Sequence, residues 1–128
     1  MVKKILIVDD EPEMLEMIEL RMKKNGYAVV TAVTGEECLE KAQKERPDVI
    51  LLDVLLPGMS GFEVSKRLKA DEETKDIPII MVTALIGTDA EEKGMERGAK
   101  YFISKPFDPE ELVSEINKIV RKNDKPAK

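Results

Sequence analysis

The sequence predicts a doubly wound α/β fold built on one parallel β-sheet. Five short apolar runs alternate along the chain with five longer segments of helical periodicity, and this alternation is typical of parallel strands joined by right-handed helical crossovers. The strand runs are apolar at nearly every position, as expected for strands that helices cover on both faces. At 128 residues, the chain is long enough for a single domain with its own core.

The five predicted strands are mostly apolar runs of four to seven residues. They are Lys4–Asp9, Tyr27–Ala32, Val49–Asp53, Ile77–Thr83 and Tyr101–Ser104. Pro57, Gly58 and Gly61 follow the third strand, so the chain leaves the sheet there through a turn. Pro78 belongs at the very start of the fourth strand, because it has no N–H for the strand ladder.

Five helices are predicted over residues 12–25, 34–46, 60–69, 88–97 and 108–121. Each helix start carries a short polar residue with glutamate three positions later, which is the pattern of a capping box. These pairs are Asp10/Glu13, Thr34/Glu37, Ser60/Glu63, Thr88/Glu91 and Asp108/Glu111. The helix at 88–97 is the weakest, because Gly94 in its middle costs roughly 1 kcal/mol relative to alanine. We place the domain at 1–121 and a polar, frayed tail at 122–128.

Composition excludes several classes of function. The net charge of −5 argues against a surface for duplex nucleic acid, which requires a basic patch. The sequence has no apolar run of membrane-spanning length and starts without the pattern of a signal peptide. The single cysteine, Cys38, fits a reducing cytoplasm and is predicted to be a small buried apolar residue. With no histidine in the chain, a zinc site is not expected, whereas a hard cation held by carboxylates remains open.

Polar or charged residues stand at the carboxyl ends of four predicted strands. They are Asp9 and Asp10 after the first strand, Asp53 at the end of the third, Thr83 at the end of the fourth and Lys105 after the fifth. In a flavodoxin-like sheet of order 2-1-3-4-5 these four strands are neighbours, and such sheets bind ligands outside the carboxyl ends of their strands. We therefore expect three carboxylates, one hydroxyl and one ammonium to converge on a single pocket.

This set of groups favours phosphoryl transfer. Three neighbouring carboxylates repel one another and require a counter-charge, which Mg²⁺ supplies in an octahedral shell of oxygen ligands. Lys105 adds a point charge for a phosphoryl oxygen, and Thr83 offers a hydroxyl donor to another. Positioning and charge neutralisation carry most of the catalysis in such transfers, and a carboxylate can itself be the nucleophile that forms an aspartyl phosphate.

All of these residues except Asp9, which ends an apolar strand, also have an ordinary explanation when each is considered alone. Asp53 alone is better explained as a turn residue at the end of a strand. Asp10 is explained equally well as an N-cap, Thr83 as a strand-forming residue and Lys105 as a solvated loop residue. Their shared position at one edge of the sheet favours a site. Met14 and Met17, beside the apolar stripe of the first helix, are explained equally well as additional core and as a partner-docking surface.

The motifs resemble those of the receiver domains of two-component response regulators, the CheY-like family. They are the pair Asp9-Asp10, Asp53 with Pro57 and Gly58-x-x-Gly61, Thr83-Ala84, Gly98-Ala99 and Lys105-Pro106-Phe107. The resemblance implies a flavodoxin-like domain that acts as a phosphorylation switch. Such a domain is not an enzyme in the ordinary sense, because it catalyses only its own Mg²⁺-dependent phosphorylation and dephosphorylation.

The resemblance implies roles for individual residues. Asp53 accepts a phosphoryl group from a phosphohistidine, and Lys105 pairs with Asp53 and then with the phosphoryl group. Thr83 and Phe102 move towards the phosphoryl group as switch residues, and the Lys105–Pro106 peptide is usually cis. The implied Mg²⁺ ligands are Asp9, Asp10, Asp53 and the backbone carbonyl of Leu55.

The resemblance also implies the kinds of partner. The donor is a sensor histidine kinase or a phosphotransfer protein, and the target is a downstream protein or a fused output domain, reached through a change on the face formed by residues 88–121. Neither nucleic acid nor membrane is expected to bind this domain directly. Dimerisation of the phosphorylated form is left open.

The chain departs from the family's commonest pattern at three positions. Phe102 stands where tyrosine is frequent, so its movement cannot include a phenolic hydrogen bond. Leu55 and Leu85 are apolar at positions that overlook the phosphoryl group in the family. Our hypothesis is that these two leucines hinder an in-line water molecule and prolong the life of the acyl phosphate.

Three rival functions fit the sequence less well. A phosphatase of the haloacid-dehalogenase type has its two acids spaced as D-x-D on the first strand, whereas Asp9 and Asp10 are adjacent. A flavodoxin-like FMN carrier requires a phosphate-binding loop after the first strand, where this chain has Asp-Asp-Glu-Pro. A degenerate receiver used only for interaction would not require the intact set of three aspartates, threonine and lysine.

Overall fold

The computed structural model of the chain describes residues 2–83 and 101–123. Five strands form one parallel sheet in the order β2-β1-β3-β4-β5. The strands are β1 (Lys4–Val8), β2 (Ala28–Ala32), β3 (Val49–Asp53), β4 (Ile79–Thr83) and β5 (Tyr101–Ser104). This confirms the predicted strands and their order. β4 begins two residues later than predicted, directly after Pro78, as the missing N–H of proline requires.

Four helices lie within the described residues. They are α1 (Pro12–Lys24), α2 (Gly35–Glu45), α3 (Gly61–Ala70) and α4 (Pro109–Asn123). The fifth predicted helix, at 88–97, lies outside the described residues. None of the helices in the described ranges has the length and apolar character needed to cross a membrane.

The helices cover both faces of the sheet, as the doubly wound fold requires. On one face, Ile5, Ile7, Leu51 and other alternate strand residues form a cluster with buried side chains of α1 and α4. On the other face, the intervening strand residues, such as Leu6 and Ile50, pack with buried side chains of α2 and α3. Because successive strand residues point to opposite faces, the continuous apolar runs of the sequence supply both clusters.

The apolar side chains of α1 and α2 that face the sheet are buried. Ile18 and Met22 on α1 are buried, and Met14 and Met17 are partly buried against the same cluster. Cys38 on α2 is fully buried, which raises the pKa of its thiol to about 12 and confirms its prediction as a buried apolar residue. Partner docking by Met14 and Met17 stays a prediction.

The N-cap hydrogen bonds of the predicted capping boxes are confirmed at α2 and α3. Thr34 Oγ1 accepts a hydrogen bond from the N–H of Glu37 at 3.1 Å, and Ser60 Oγ accepts one from the N–H of Glu63 at 3.3 Å. At the start of α4, Asp108 Oδ1 accepts one from the N–H of Glu110 at 3.1 Å. The Thr88/Glu91 pair lies outside the described residues.

The predicted cap of α1 is wrong. The N-cap residue is Glu11, which makes no side-chain capping bond, rather than Asp10. Pro12 occupies the first helical position, so the cap falls on the residue directly before the proline. Asp9 instead turns its carboxylate back, and its Oδ1 accepts a hydrogen bond from the N–H of Glu11 at 2.8 Å.

The cap of α2 yields a stability prediction. Replacing Thr34→Ala removes the hydroxyl that accepts the Glu37 N–H, so we expect the free energy of unfolding in urea to fall by about 1 kcal/mol. Thr34→Ser keeps the oxygen and should remain within about 0.5 kcal/mol of the native chain. Equal losses in the two variants would contradict the assignment of Thr34 as a hydrogen-bonding cap.

Candidate functional site

The carboxyl edge of the sheet brings three of the predicted site residues into direct contact. Lys105 Nζ lies 3.0 Å from Asp53 Oδ2 and 3.5 Å from Asp9 Oδ2. Asp10 completes the cluster, since each of the three aspartates offers a carboxylate oxygen and these oxygens lie within 4.8 Å of one another. Asp9 and Lys105, which are 96 positions apart in the sequence, therefore share one pocket.

Asp53 is held by its own strand and by the turn that follows. It is the last residue of β3 and is only 5% exposed, and its backbone pairs with Val82 on β4. Its Oδ1 accepts a hydrogen bond from the N–H of Leu55 at 3.1 Å. One carboxylate oxygen is thus tied to the backbone, while the other faces the ammonium of Lys105.

Asp9 is held in the same manner. It follows β1 directly and is only 3% exposed, and its N–H donates to the carbonyl of Ala32 on β2 at 3.2 Å. Its Oδ1 accepts from the N–H of Glu11, which leaves Oδ2 facing Lys105. Asp10 is exposed, so the cluster has two buried carboxylates and one at the solvent boundary.

Lys105 reaches the carboxylates from the loop after β5. Its N–H donates to the carbonyl of Thr83 at 3.0 Å, which continues the pairing of β4 with β5. The peptide bond between Lys105 and Pro106 is cis. The side chain is 20% exposed, so its charge is partly removed from water.

Thr83 and Phe102 lie at or close to this edge. Thr83 ends β4 and is buried. Phe102, on β5, pairs in register with Met81 and is half-buried against the face that carries α2 and α3. Their assignment as switch residues stays a prediction.

The Asp9 carboxyl and the Lys105 ammonium both have shifted pKa values. Burial raises the pKa of the Asp9 carboxyl and outweighs the hydrogen bond from Glu11 and the charge of Lys105, with Asp53 adding repulsion. For Lys105, desolvation lowers the pKa, but the hydrogen bond to Asp53 and the charges of Asp53 and Asp9 exceed it, so the pKa is raised overall. Lys105 is therefore a firmly charged counter-ion for the pocket.

Two contacts were not anticipated from the sequence. The backbone N–H groups of Glu11 and Leu55 each donate to an aspartate two residues earlier. This is the pattern of an Asx-turn, so an aspartate at the end of each strand was the signal available in the sequence. Leu55 itself is 64% exposed, and its carbonyl as a metal ligand stays a prediction. Leu85 lies outside the described residues.

The raised pKa of Asp9 yields a prediction on stability and pH. The folded state binds this proton more tightly than the unfolded chain, so stability is lost as the pH rises through the folded-state pKa and stays lost at neutral pH. Asp9→Asn should therefore raise the free energy of unfolding at neutral pH and lose that advantage below about pH 3.9. The measurement is urea unfolding in EDTA at both pH values.

The exposed carboxylate of Asp76 offers a control. Asp76→Asn should change the stability little at either pH. A gain for Asp9→Asn that is equal at both pH values, or a loss at neutral pH, would show that the Asp9 carboxylate carries no cost in the folded state.

Known proteins resemble the chain in both sequence and structure. Residues 5–117 match the family model described as the response regulator receiver domain. The chain is 45% identical over 120 residues to the phosphate regulon transcriptional regulatory protein PhoB of Pseudomonas aeruginosa, and this match covers 94% of this chain and 52% of PhoB. It is 40% identical over 122 residues to the alkaline phosphatase synthesis transcriptional regulatory protein PhoP of Bacillus subtilis, covering 95% of this chain and 50% of PhoP. The chain thus spans about half the length of these curated relatives.

Two solved structures are similar along most of their length. The chemotaxis response regulator CheY4 of Vibrio cholerae superposes with a TM-score of 0.88 at 37% identity, covering 93% of this chain and 99% of that one. The receiver domain of the sensor histidine kinase PA1611 from Pseudomonas aeruginosa superposes with a TM-score of 0.86 at 28% identity, covering 94% and 99%. The latter holds a magnesium ion in its active-site cleft.

Three observations indicate the same family. The sheet has the expected strand order, a lysine bridges two buried aspartates at its carboxyl edge, and the family model matches residues 5–117. The chain belongs to the response regulator receiver domains, the phosphoacceptor switches of two-component signal transduction.

Proposed function

We propose that Asp53 is the phosphoacceptor of this domain. The observation that carries the proposal is the position of Lys105 Nζ, 3.0 Å from Asp53 Oδ2 and 3.5 Å from Asp9 Oδ2. A buried carboxylate at the end of a central strand, with a cation on one of its oxygens, combines a nucleophile with a group that neutralises the incoming phosphoryl charge. Asp53 ends β3, which lies between β1 and β4 in the sheet, and its carboxylate is nearer to Lys105 Nζ than that of Asp9.

The three aspartates also fit a hard divalent cation. Their carboxylate oxygens lie within 4.8 Å of one another, and oxygen donors of this type suit Mg²⁺, which retains several of its waters. We propose that Asp9, Asp10 and Asp53, with the carbonyl of Leu55, hold Mg²⁺. When bound, Mg²⁺ neutralises carboxylate charge and attracts the phosphoryl oxygens. The magnesium ion in the cleft of the related PA1611 receiver domain supports this assignment.

The transfer follows from the chemistry of a carboxylate nucleophile. An oxygen of Asp53 forms a bond to the phosphorus of a phosphohistidine, the phosphorus–nitrogen bond breaks, and its electron pair leaves with the imidazole. The ammonium of Lys105, which pairs with the Asp53 carboxylate before the transfer, then pairs with the phosphoryl group. Its raised pKa keeps the ammonium charged throughout the physiological pH range.

The signal then passes to the strands next to Asp53. Thr83 ends the adjacent strand β4, and β4 pairs with β5, which carries Phe102. We propose that a phosphoryl group on Asp53 draws the Thr83 hydroxyl inward and that Phe102 follows, which changes the face predicted for residues 88–121, of which 88–100 lie outside the described residues. A local change of charge thereby biases a two-state element.

The proposed partners follow from the family. The donor is a sensor histidine kinase or a phosphotransfer protein, and the target is a downstream protein or an output domain fused to the receiver domain. Regulatory relatives of about twice this length, such as PhoB, support the second arrangement. We propose a cytoplasmic domain that contacts neither nucleic acid nor membrane directly and that performs no chemistry beyond its own phosphorylation and dephosphorylation.

The first prediction concerns the site of phosphorylation. Incubation with a small phosphodonor and Mg²⁺ should add the mass of one phosphoryl group to the native chain, measured by intact-protein mass spectrometry. Asp53→Asn keeps the size and hydrogen-bonding geometry but removes the nucleophile, so it should gain nothing. Asp76→Asn, which changes an exposed carboxylate, should behave as the native chain. A phosphoryl mass that persists in Asp53→Asn would overturn the assignment.

The second prediction concerns the lifetime of the acyl phosphate. Leu55 is 64% exposed, so Leu55→Asn alters the mouth of the pocket without opening a core cavity, and the backbone N–H that binds Asp53 is retained. An amide there can hydrogen-bond the attacking water, so we expect dephosphorylation to become several-fold faster. Leu20→Asn, at a residue of α1 that is 54% exposed, should leave the rate unchanged. Equal or slower loss of phosphate in Leu55→Asn would remove the hypothesis that leucine protects the phosphoryl group.

A further inference from the structure

The first residue of α3 lies directly against the backbone of the strand that carries Asp53. Gly61 begins α3, and its N–H donates to the carbonyl of Val54 at 2.8 Å. Val54 follows Asp53 immediately. The start of the helix is therefore in contact with the end of β3.

A side chain at this position has no space. A Cβ atom on Gly61 would lie 2.4 Å from the carbonyl oxygen of Asp53 and 2.8 Å from Cα of Val54, well inside the usual carbon contact of about 3.5 Å or more. Both are backbone atoms, which cannot rotate aside as the end of a side chain can. By contrast, a Cβ at Gly58 meets nothing within 4 Å, and that residue is a glycine of positive φ. Gly61 is thus required for space, not for an unusual backbone conformation.

Neither side of this contact can move freely. On the strand side, the N–H of Val54 donates to the carbonyl of Val82 at 3.3 Å, and Asp53 pairs with Val82 in the sheet. On the helix side, Val64 and Leu68 are buried in the cluster between α3 and the sheet. An added methyl group must therefore displace the backbone of Asp53, lift the helix from its packed face, or do some of each.

We infer that Gly61 is a positioning residue for the phosphoacceptor, an inference that rests on the proposed role of Asp53. The backbone position of Asp53 determines where its carboxylate lies relative to Lys105, 3.0 Å away. A displacement of about 1 Å can slow a reaction that depends on aligned groups by about a hundredfold. Gly61 acts through Asp53 and touches no reacting atom itself.

The chain provides a matched control at the first residue of α2. A Cβ on Gly35 would lie 2.7 Å from Cγ2 of Val64 and 3.2 Å from Cβ of Met59, so Gly35→Ala also crowds the start of a helix. Its contacts are with residues of the α3 region and not with the β3 backbone. Both substitutions should reduce stability, but only Gly61→Ala should displace Asp53.

The test measures phosphorylation by acetyl phosphate with saturating Mg²⁺, expressed per folded molecule from a urea titration of each variant. Gly61→Ala should lower the maximal rate about tenfold or more with little change in the donor concentration for half-maximal rate. Gly35→Ala should retain the native rate within about twofold. If the native chain takes up no phosphoryl group, the proposed function fails; if it does and Gly61→Ala matches its rate, only the positioning role fails.

An unstable Gly61→Ala is assayed in trimethylamine N-oxide, which favours the folded state. A reduced rate per folded molecule there supports the inference. A variant that stays unfolded in the osmolyte overturns it, because Gly61 would then serve the fold as a whole and not the placement of Asp53. A rate reduced equally in Gly35→Ala also overturns it.

Discussion

The ammonium group of Lys105 lies between the buried carboxylates of Asp9 and Asp53, and the rest of the site depends on this arrangement. Two ionised carboxylates so close together repel each other, and burial makes their desolvation more costly. The raised pKa of Asp9 shows that one lysine does not compensate for this cost completely. The pocket keeps an excess of negative charge when Asp10 is included, which suits it to a divalent cation and, with that cation, to a phosphoryl group.

The fold makes this crowding possible by fixing the backbone on every side of the acids. Asp9 directly follows β1 and Asp53 ends the neighbouring parallel strand β3, and each has one carboxylate oxygen bound to a backbone N–H two residues later. Lys105 reaches the carboxylates from the loop after β5, the strand at the far edge of the sheet beyond β4. Its backbone N–H donates to the carbonyl of Thr83 on β4. The remaining oxygens are thereby aimed at one point, and little conformational freedom has to be lost when a ligand binds.

Two local features lie beside the aspartates of the site. The uncapped start of α1 and the close approach of Gly61 to the β3 backbone are both local departures from the most stable design. Each lies next to a proposed functional aspartate. By contrast, α2 and α3 begin with hydrogen-bonding caps, and apolar clusters cover both faces of the sheet. Local departures of this kind are common at functional sites, where function and stability compete.

The sequence by itself determined the strands, their order and the edge at which the acids and the lysine meet. Apolar runs and helix caps are local signals, and the order 2-1-3-4-5 follows from the known arrangement of such alternating folds; the motif Asp9-Asp10, Asp53, Thr83 and Lys105 then indicated the family. Only the tertiary structure decided which oxygen of each aspartate faces Lys105 and that the cap of α1 falls on Glu11. It also decided that Gly61 is required by the backbone of β3. These features depend on how closely atoms approach one another when they are remote in the chain or held in a turn, and packing sets such distances whereas sequence periodicity does not.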